Sequence, residues 1–448
     1  MKDPRARHAE MHPASAFDVA NIHFSAVYDP MLHLVLQADG AFDVSALETA
    51  VEAAGTMAPI LASHYGEKKD RGYWQCGMGE KPAFSVHVTT GTMDPNLLPL
   101  ASIDPFTGPQ LDVRLCRSAK EDGGKSGDVL IISAHHGAMD ANGLFQAASL
   151  CADAYRRVCE GKPPVFQGPS WEPRGTDAVS APFSAEELEA VYERESSFTD
   201  DWSFPCREGP CGHLLWDTFT IGADEVTALR AAGKAAGVTL NDRIMAAFFC
   251  ALMEVCGDAY ADSPRLGILG AMDLRRYLPV APYRSISNLS VEYELPLYPA
   301  CGEGMGTALP AVSQAMQGMK EGNFGLGSME LYERLYAGGA GAVKAFLAGI
   351  AKEYLVTGKK NPFLSNVGAI PSTAAAFQHG EEGTPLQVTA AYLTSREVCP
   401  PGIGVYVSTY RGEMTVTIPS CADAHDPQDI RALAGAMRGY LLEDVSLQ

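Results

Sequence analysis

The sequence predicts an α/β (α+β) protein of two lobes, each a mixed sheet with flanking helices. Three observations predict it. At 448 residues the chain is longer than one hydrophobic core usually serves. Apolar patterns of period two and period 3.6 are interspersed along its whole length rather than segregated. The stretch 166–182 is rich in Pro, Gly, Ser and Asp, as in Gly168-Pro169-Ser170 and Pro173-Arg174-Gly175. That stretch reads as a linker between an N-terminal lobe, 15–165, and a C-terminal lobe, 183–448.

In the first lobe, Phe17 to Val27 reads as a lead-in and Met31 to Leu36 as a strand, followed by a turn at Gly40. Asp43 can cap a helix carrying Val44, Leu47, Val51 and Ala54 at helical spacing. Gly72 to Gln75 and Leu111 to Cys116 read as strands, and residues 121–127 as a turn into the apolar run Val129 to Ile132. A helix then places Leu144, Ala148, Cys151, Tyr155 and Val158 on one face. In the second lobe, Trp216 to Ile221 reads as a strand and Ala223 to Ala236 as a helix. Val238-Thr239-Leu240-Asn241-Asp242 opens a helix that is apolar nearly all round, hence central. Leu266 to Met272 and Leu289 to Leu297 are buried strands, and 308–357 is mainly helical. Gly338-Gly339-Ala340-Gly341 reads as a close helix approach or a hinge. Gly404 to Ser408 and Met414 to Ile418 form a hairpin, and a final helix carries Ile430, Leu433, Met437 and Leu441.

Composition narrows the function classes. A formal charge of −20 and a pI near 4.9 argue against a nucleic-acid partner and an anionic membrane surface. Eleven cysteines with no C-x-x-C fit reduced thiols in the cytoplasm better than a disulfide framework. No stretch approaches the ~18 consecutive apolar residues of a spanning helix, and the N-terminus lacks a signal-peptide core. No metal-ligand spacing appears, so no metal is expected. An anionic cofactor would need basic neighbours, for which Arg275-Arg276 and Lys359-Lys360 are the candidates.

The chemistry-bearing stretch is Ser133-Ala134-His135-His136-Gly137-Ala138-Met139-Asp140. It sets two histidines at the end of a buried strand. A histidine held there, beside a cavity, can take the proton from an alcohol or amine as that group attacks a thioester. Asp140 is close enough to fix the turn that aims the ring.

The motif resembles the H-H-x-x-x-D-G signature of the chloramphenicol-acetyltransferase-like superfamily, which includes condensation domains and alcohol acetyltransferases. Further resemblances follow in order: Val238 to Asp242, Met272-Asp273-Leu274-Arg275-Arg276 with Ser287-Asn288, and Leu364-Ser365-Asn366-Val367-Gly368. The resemblance implies two chloramphenicol-acetyltransferase-like lobes with an active-site channel between them. His136 would be the general base, His135 supportive, and Asp140 would pair with Arg275 in a structural clamp. Gly143, Ser287, Asn288, Ser365, Asn366 and Gly368 would line the channel. No cofactor would be bound permanently. Acyl-CoA, or a phosphopantetheinyl thioester on an acyl carrier protein, would be the co-substrate, the acceptor a small alcohol or amine, and the protein a monomer. A catalytically silent binding or scaffold relative is the remaining alternative.

Two departures stand out. The glycine after the aspartate is Ala141, and the D-F-G-W-G segment of the plant-type enzymes is absent. Gly124-Lys125-Ser126 lacks the spacing of a phosphate loop, Gly322 to Gly327 reads as a turn, and no G-x-S-x-G elbow occurs.

Overall fold

The computed structural model describes residues 10–77, 79–90, 98–119, 127–171, 173–195, 198–207, 214–279, 285–395 and 400–444. In chain order its strands are β1 (Glu10–Pro13), β2 (Met31–Ala38), β3 (His64–Lys68), β4 (Arg71–Cys76), β5 (Ala83–Thr90), β6 (Leu111–Ala119) and β7 (Val129–His135), then β8 (Leu214–Ile221), β9 (Leu266–Asp273), β10 (Ser290–Leu297), β11 (Phe363–Ala369), β12 (Val388–Ser395), β13 (Gly404–Tyr410) and β14 (Glu413–Cys421). The helices are α1 (Ala16–His23), α2 (Val44–Met57), α3 (Ala141–Cys159), α4 (Asp177–Ser180), α5 (Ala185–Glu195), α6 (Ala223–Ala236), α7 (Leu240–Cys256), α8 (Met305–Glu321), α9 (Leu326–Ala337), α10 (Ala340–Thr357) and α11 (Pro427–Leu442).

The first lobe is built on a five-stranded sheet of order β12-β2-β7-β6-β5. β2 and β7 are buried on both faces, which is why their sequences run apolar without clean alternation. α2 and α3 pack against each other over this sheet. The Asp43 carboxylate caps α2 by accepting from Ala46 N at 2.9 Å. The turn read at 121–127 lies outside the described residues except for Gly127.

The second lobe is built on a six-stranded sheet of order β10-β9-β11-β13-β14-β8. Its central helix, α7, starts at a capping box in which Thr239 Oγ1 accepts from Asp242 N and Asp242 accepts from Thr239 N. Its apolar circumference is buried because sheet and helices surround it; Ile244 to Leu252 are all buried. Between β13 and β14, Arg411 and Gly412 have φ of 50° and 91°, the left-handed pair of a two-residue hairpin turn.

One element lies on the far side of the linker from its neighbours in sequence. β12 pairs antiparallel with β2, from Val388↔Ala38 to Ser395↔Leu32, and so completes the sheet of the first lobe. Leu393 N donates to Ser408 Oγ at 3.1 Å, joining β12 to β13. The chain thus ties the two sheets together through β12. On another side the β3–β4 hairpin, part of a three-stranded sheet of order β1-β4-β3, reaches across to α9 and α10. No single helix among the described residues is long and apolar enough to cross a membrane.

Candidate active site

β7 delivers His135 and His136 to the junction of the lobes. His135 is buried, its Nδ1 accepts from Gly137 N at 3.0 Å, and burial, aided by the charge of His136, lowers its pKa to about 3. It is a neutral acceptor that shapes the loop. His136 is half-buried, and its backbone N donates to the Pro30 carbonyl at 2.7 Å. Burial lowers its pKa too, opposed by Asp140 and by the ring's own backbone carbonyl. The ring is therefore a neutral base at ordinary pH.

Asn288 holds that ring. Its Oδ1 accepts from Ser290 N at 3.0 Å, which fixes the amide, so Nδ2 faces the His136 carbonyl at 2.9 Å and Nδ1 at 2.8 Å. Nδ2 can only donate, so in this arrangement Nδ1 accepts and the neutral ring carries its proton on Nε2.

Asp140 caps α3: Oδ1 accepts from Gly143 N at 2.9 Å. Oδ2 accepts from Arg275 Nη1 at 2.6 Å and from Leu289 N at 2.8 Å, and Asp140 N donates to Ser287 O at 3.3 Å. Burial pushes the carboxyl up, but the Arg275 guanidinium and the two amides outweigh it and hold its pKa below the usual value. Arg275 also bonds Asp273 Oδ1 at 3.0 Å and Ser287 O at 3.0 Å. A Cβ on Gly143 would lie 2.7 Å from Met139 Cβ and 3.0 Å from Ser287 O, so the two lobes meet here at backbone contact. Ala141 is the first residue of α3, a helical position that suits a Cβ, so the missing glycine leaves the loop intact.

His136, Asp140, Gly143, Arg275, Ser287 and Asn288 are thus one bonded unit. Ser365, Asn366 and Gly368 are not joined to it. Asn366 Nδ2 donates to Asn241 Oδ1 at 3.0 Å, its Oδ1 accepts from Gly368 N at 3.1 Å, and Gly368 takes a φ of 71° at a bulge in β11. Ser365 is half-buried on β11, opposite Tyr406 of β13. Of the basic candidates, Lys360 is buried, donates to Val27 O and lies 4.9 Å from the Tyr354 ring, which removes it from reach of a phosphate. A cleft of about 280 Å³ opens beside Arg275, walled by Asn142, Gln146, Ser149, Asp273 and Thr373. Among the described residues no cluster of three His, Cys, Asp or Glu could hold a metal.

Two residues with no sequence signature complete the unit. Arg174, in the linker, donates to Asp18 Oδ1 at 2.9 Å and Oδ2 at 3.0 Å, to Ala138 O at 2.6 Å and to Ile286 O at 2.5 Å. Asp18 also accepts from Trp74 Nε1 at 2.8 Å and caps α1 with Ser15. The only basic residue in a stretch rich in Pro and Gly, Arg174 is the one sequence signal that could have drawn attention to the pair.

The architecture is the chloramphenicol-acetyltransferase-like condensation fold, two sheet-centred lobes meeting at a histidine-bearing strand end. The trichothecene 15-O-acetyltransferase of Fusarium sporotrichioides shares it with a TM-score of 0.71 at 12% identity, over 96% of this chain and 94% of that one. The first condensation domain of the CDA synthetase gives 0.64 at 15%, covering 97% of both chains. The epimerization domain from the third module of tyrocidine synthetase B gives 0.61 at 13%, covering 97% of this chain and 98% of that one. At such identities the likeness is one of fold. No protein-family model matches the sequence, and no curated protein matches it by sequence.

Proposed function

We propose that this protein is an acyltransferase that moves an acyl group from a coenzyme A thioester to a hydroxyl or amine, with His136 as general base. The observation that carries the reading is the His136 ring, neutral and held by Asn288 at the lobe junction. The fold by itself does not choose a reaction, since its neighbours are named for acetyl transfer, condensation and epimerization.

In this reading the acceptor's proton passes to Nε2 as its oxygen or nitrogen bonds to the thioester carbon. The C–S bond then breaks, and the same proton goes to the departing thiolate. Nε2 can accept only when the ring proton sits on Nδ1, where the His136 carbonyl can take it. Asn288 Nδ2, which also faces the His136 carbonyl at 2.9 Å, must then give up Nδ1 for the ring to act as base. Ser365, whose hydroxyl is not committed to a bond as Asn366 is, serves as the candidate donor to the developing oxyanion. A positioned base supplies about 10²–10⁴-fold.

The test is release of free coenzyme A, read by mass spectrometry from a panel of acyl-CoAs with pooled alcohols and amines. Wild type should release it, and His136→Ala should lose about 10²-fold or more while keeping its melting temperature. Because burial depresses the His136 pKa, activity should fall only below pH 6.5, the value the free side chain would give. Release only when a phosphopantetheinyl carrier protein presents the acyl group would replace the donor. No release from any donor would leave a silent relative.

A further inference from the structure

The cleft beside Arg275 is a space to which both lobes offer polar groups. β9 and β11 run parallel, with Phe363 opposite Leu269 and Leu364 opposite Gly270, so they end on the same edge of the second-lobe sheet, at Asp273 and Ala369. The carboxyl ends of parallel strands are where ligands gather in α/β proteins. Facing that edge is a stripe of α3, Asn142, Phe145, Gln146 and Ser149, at the i, i+3, i+4 and i+7 spacing of one helix face. The stripe reaches the second lobe at its two ends. Asn142 Nδ2 donates to Asp273 Oδ2 at 2.7 Å, and Ser149 Oγ lies 3.0 Å from Thr373 Oγ1, in the turn Ser372–Ala375 after β11. Between these rungs the walls stand apart around about 280 Å³. Gln146 sits there with its amide bonded to nothing among the described residues.

The chemistry of the walls selects a class of ligand. Gln146 offers both a donor and an acceptor. Asn142 Oδ1 is a second acceptor. Asp273 Oδ1 is taken by Arg275 N at 2.9 Å and Nη1 at 3.0 Å, but Oδ2 receives only Asn142, and the side chain is 37% exposed. Phe145 and Pro371 supply the apolar surface. An anion would meet the Asp273 charge, while Arg275 is already spent on Asp140, Asp273 and the Ser287 carbonyl. An ammonium would leave the Gln146 amide hydrogens unmet. A hydroxyl both donates and accepts, and several of them on a carbon ring match the polar rim and the apolar wall together. The volume falls just below the roughly 300–1,000 Å³ of drug-sized ligand sites, which suits a single ring. We propose that this cleft is a binding site for a polyhydroxylated group, a sugar or cyclitol of one-ring size. The inference goes beyond the acyl-transfer reading and does not rest on it, since binding is read without turnover.

The test is saturation-transfer NMR on the full chain with myo-inositol, methyl α-glucoside and sorbitol. Cyclohexanol and cyclohexylamine, which keep the inositol ring but carry one polar group, are the controls. At least one polyol should bind about tenfold more tightly than either control. Gln146→Leu removes the uncommitted amide and should weaken that polyol about tenfold. Gln146→Trp fills the cleft and should abolish binding, with the melting temperature showing that each variant is folded. Should the tryptophan variant fail to fold, Thr373→Val on the exposed opposite wall should weaken the polyol about threefold. Absence of polyol binding, or polyol binding unchanged in folded Q146L and Q146W, overturns the proposal. Cyclohexylamine binding more tightly than every polyol also overturns it, because the cleft would then be a cation site.

Discussion

Replacing Asp140 with asparagine changes one atom and turns an acceptor into a donor. In the native unit both carboxylate oxygens accept, one from Gly143 N, the other from Leu289 N and Arg275. An asparagine amide must present its NH₂ to one of these donors, and neither orientation avoids a buried donor–donor contact. Arg275 would still have Asp273, so the loss is chiefly of hydrogen bonds and the α3 cap rather than of all charge pairing. We expect D140N to cost about 3 kcal/mol in urea unfolding. The sign of the pH dependence follows from the depressed native pKa. The stabilisation by Asp140 is complete above its unfolded value of 3.8 and is lost as pH falls through the lower native value. D140N should lack that part of the acid destabilisation. A D140N variant as stable as wild type would refute the assignment of Asp140 as the joint of this unit.

The β3–β4 hairpin shows what a single element does between the lobes. Its turn residues Lys69 and Asp70 have φ of 50° and 61°, so Asp70 projects at the tip. There Asp70 Oδ1 accepts from Gly341 N at 2.8 Å and its carbonyl from Ala340 N at 3.0 Å, at the start of α10. The next residue, Arg71, donates to the Tyr336 carbonyl at 2.5 Å and the Ala337 carbonyl at 3.1 Å, at the end of α9. An acid at a helix N-terminus and a base at a C-terminus both suit the helix dipole. The Gly338–Gly341 run is the seat for this tip, because a Cβ on Gly339 would lie 1.9 Å from Asp70 Oδ2 and its φ is 98°. Asp70→Ala should therefore cost about 1 kcal/mol, the usual value of a lost cap. Gly339→Ala should cost more, and less in the D70A background than alone. Additive losses in that double-mutant cycle would mean that the tip and the glycine do not meet. Other elements mark the limit of sequence reading. Strands with strong patterns, such as β2, β7 and β9, and the capped helices α2 and α7 were legible because their signals are local. β12 was not, since Val388 to Ser395 has a weak pattern and its partner, β2, lies some 350 positions away. β5 was missed because it is an edge strand with Val86 and Val88 facing out, which blurs its alternation.

At the scale of the whole molecule the lobes are fastened around one short segment. Arg174 donates to the carbonyl of Ile286 and Arg275 to that of Ser287, and the next residue, Asn288, holds the His136 ring. Two guanidiniums, each anchored on a buried carboxylate of the first lobe, thus fix consecutive peptide units of the second. The sequence exposed one of them, Arg275 with Asp140, because a motif carries it. It hid the other because Asp18 and Arg174 are joined only through the fold. Arg174 also holds Ala138 O on the histidine loop, so it sets the loop and the facing segment against each other. Arg174→Met would leave Asp18 buried with only the Trp74 indole and the α1 cap as partners, and should cost about 3–5 kcal/mol. Adding Asp18→Asn removes the stranded charge, so the double variant should recover at least 1 kcal/mol over the additive sum. Turnover should fall in both R174M and the double variant, because a small displacement of His136 against Asn288 is enough to spoil a proton transfer. Strict additivity in unfolding would show that Arg174 and Asp18 act apart. Full turnover in a folded R174M would show that the lobe junction holds His136 without it.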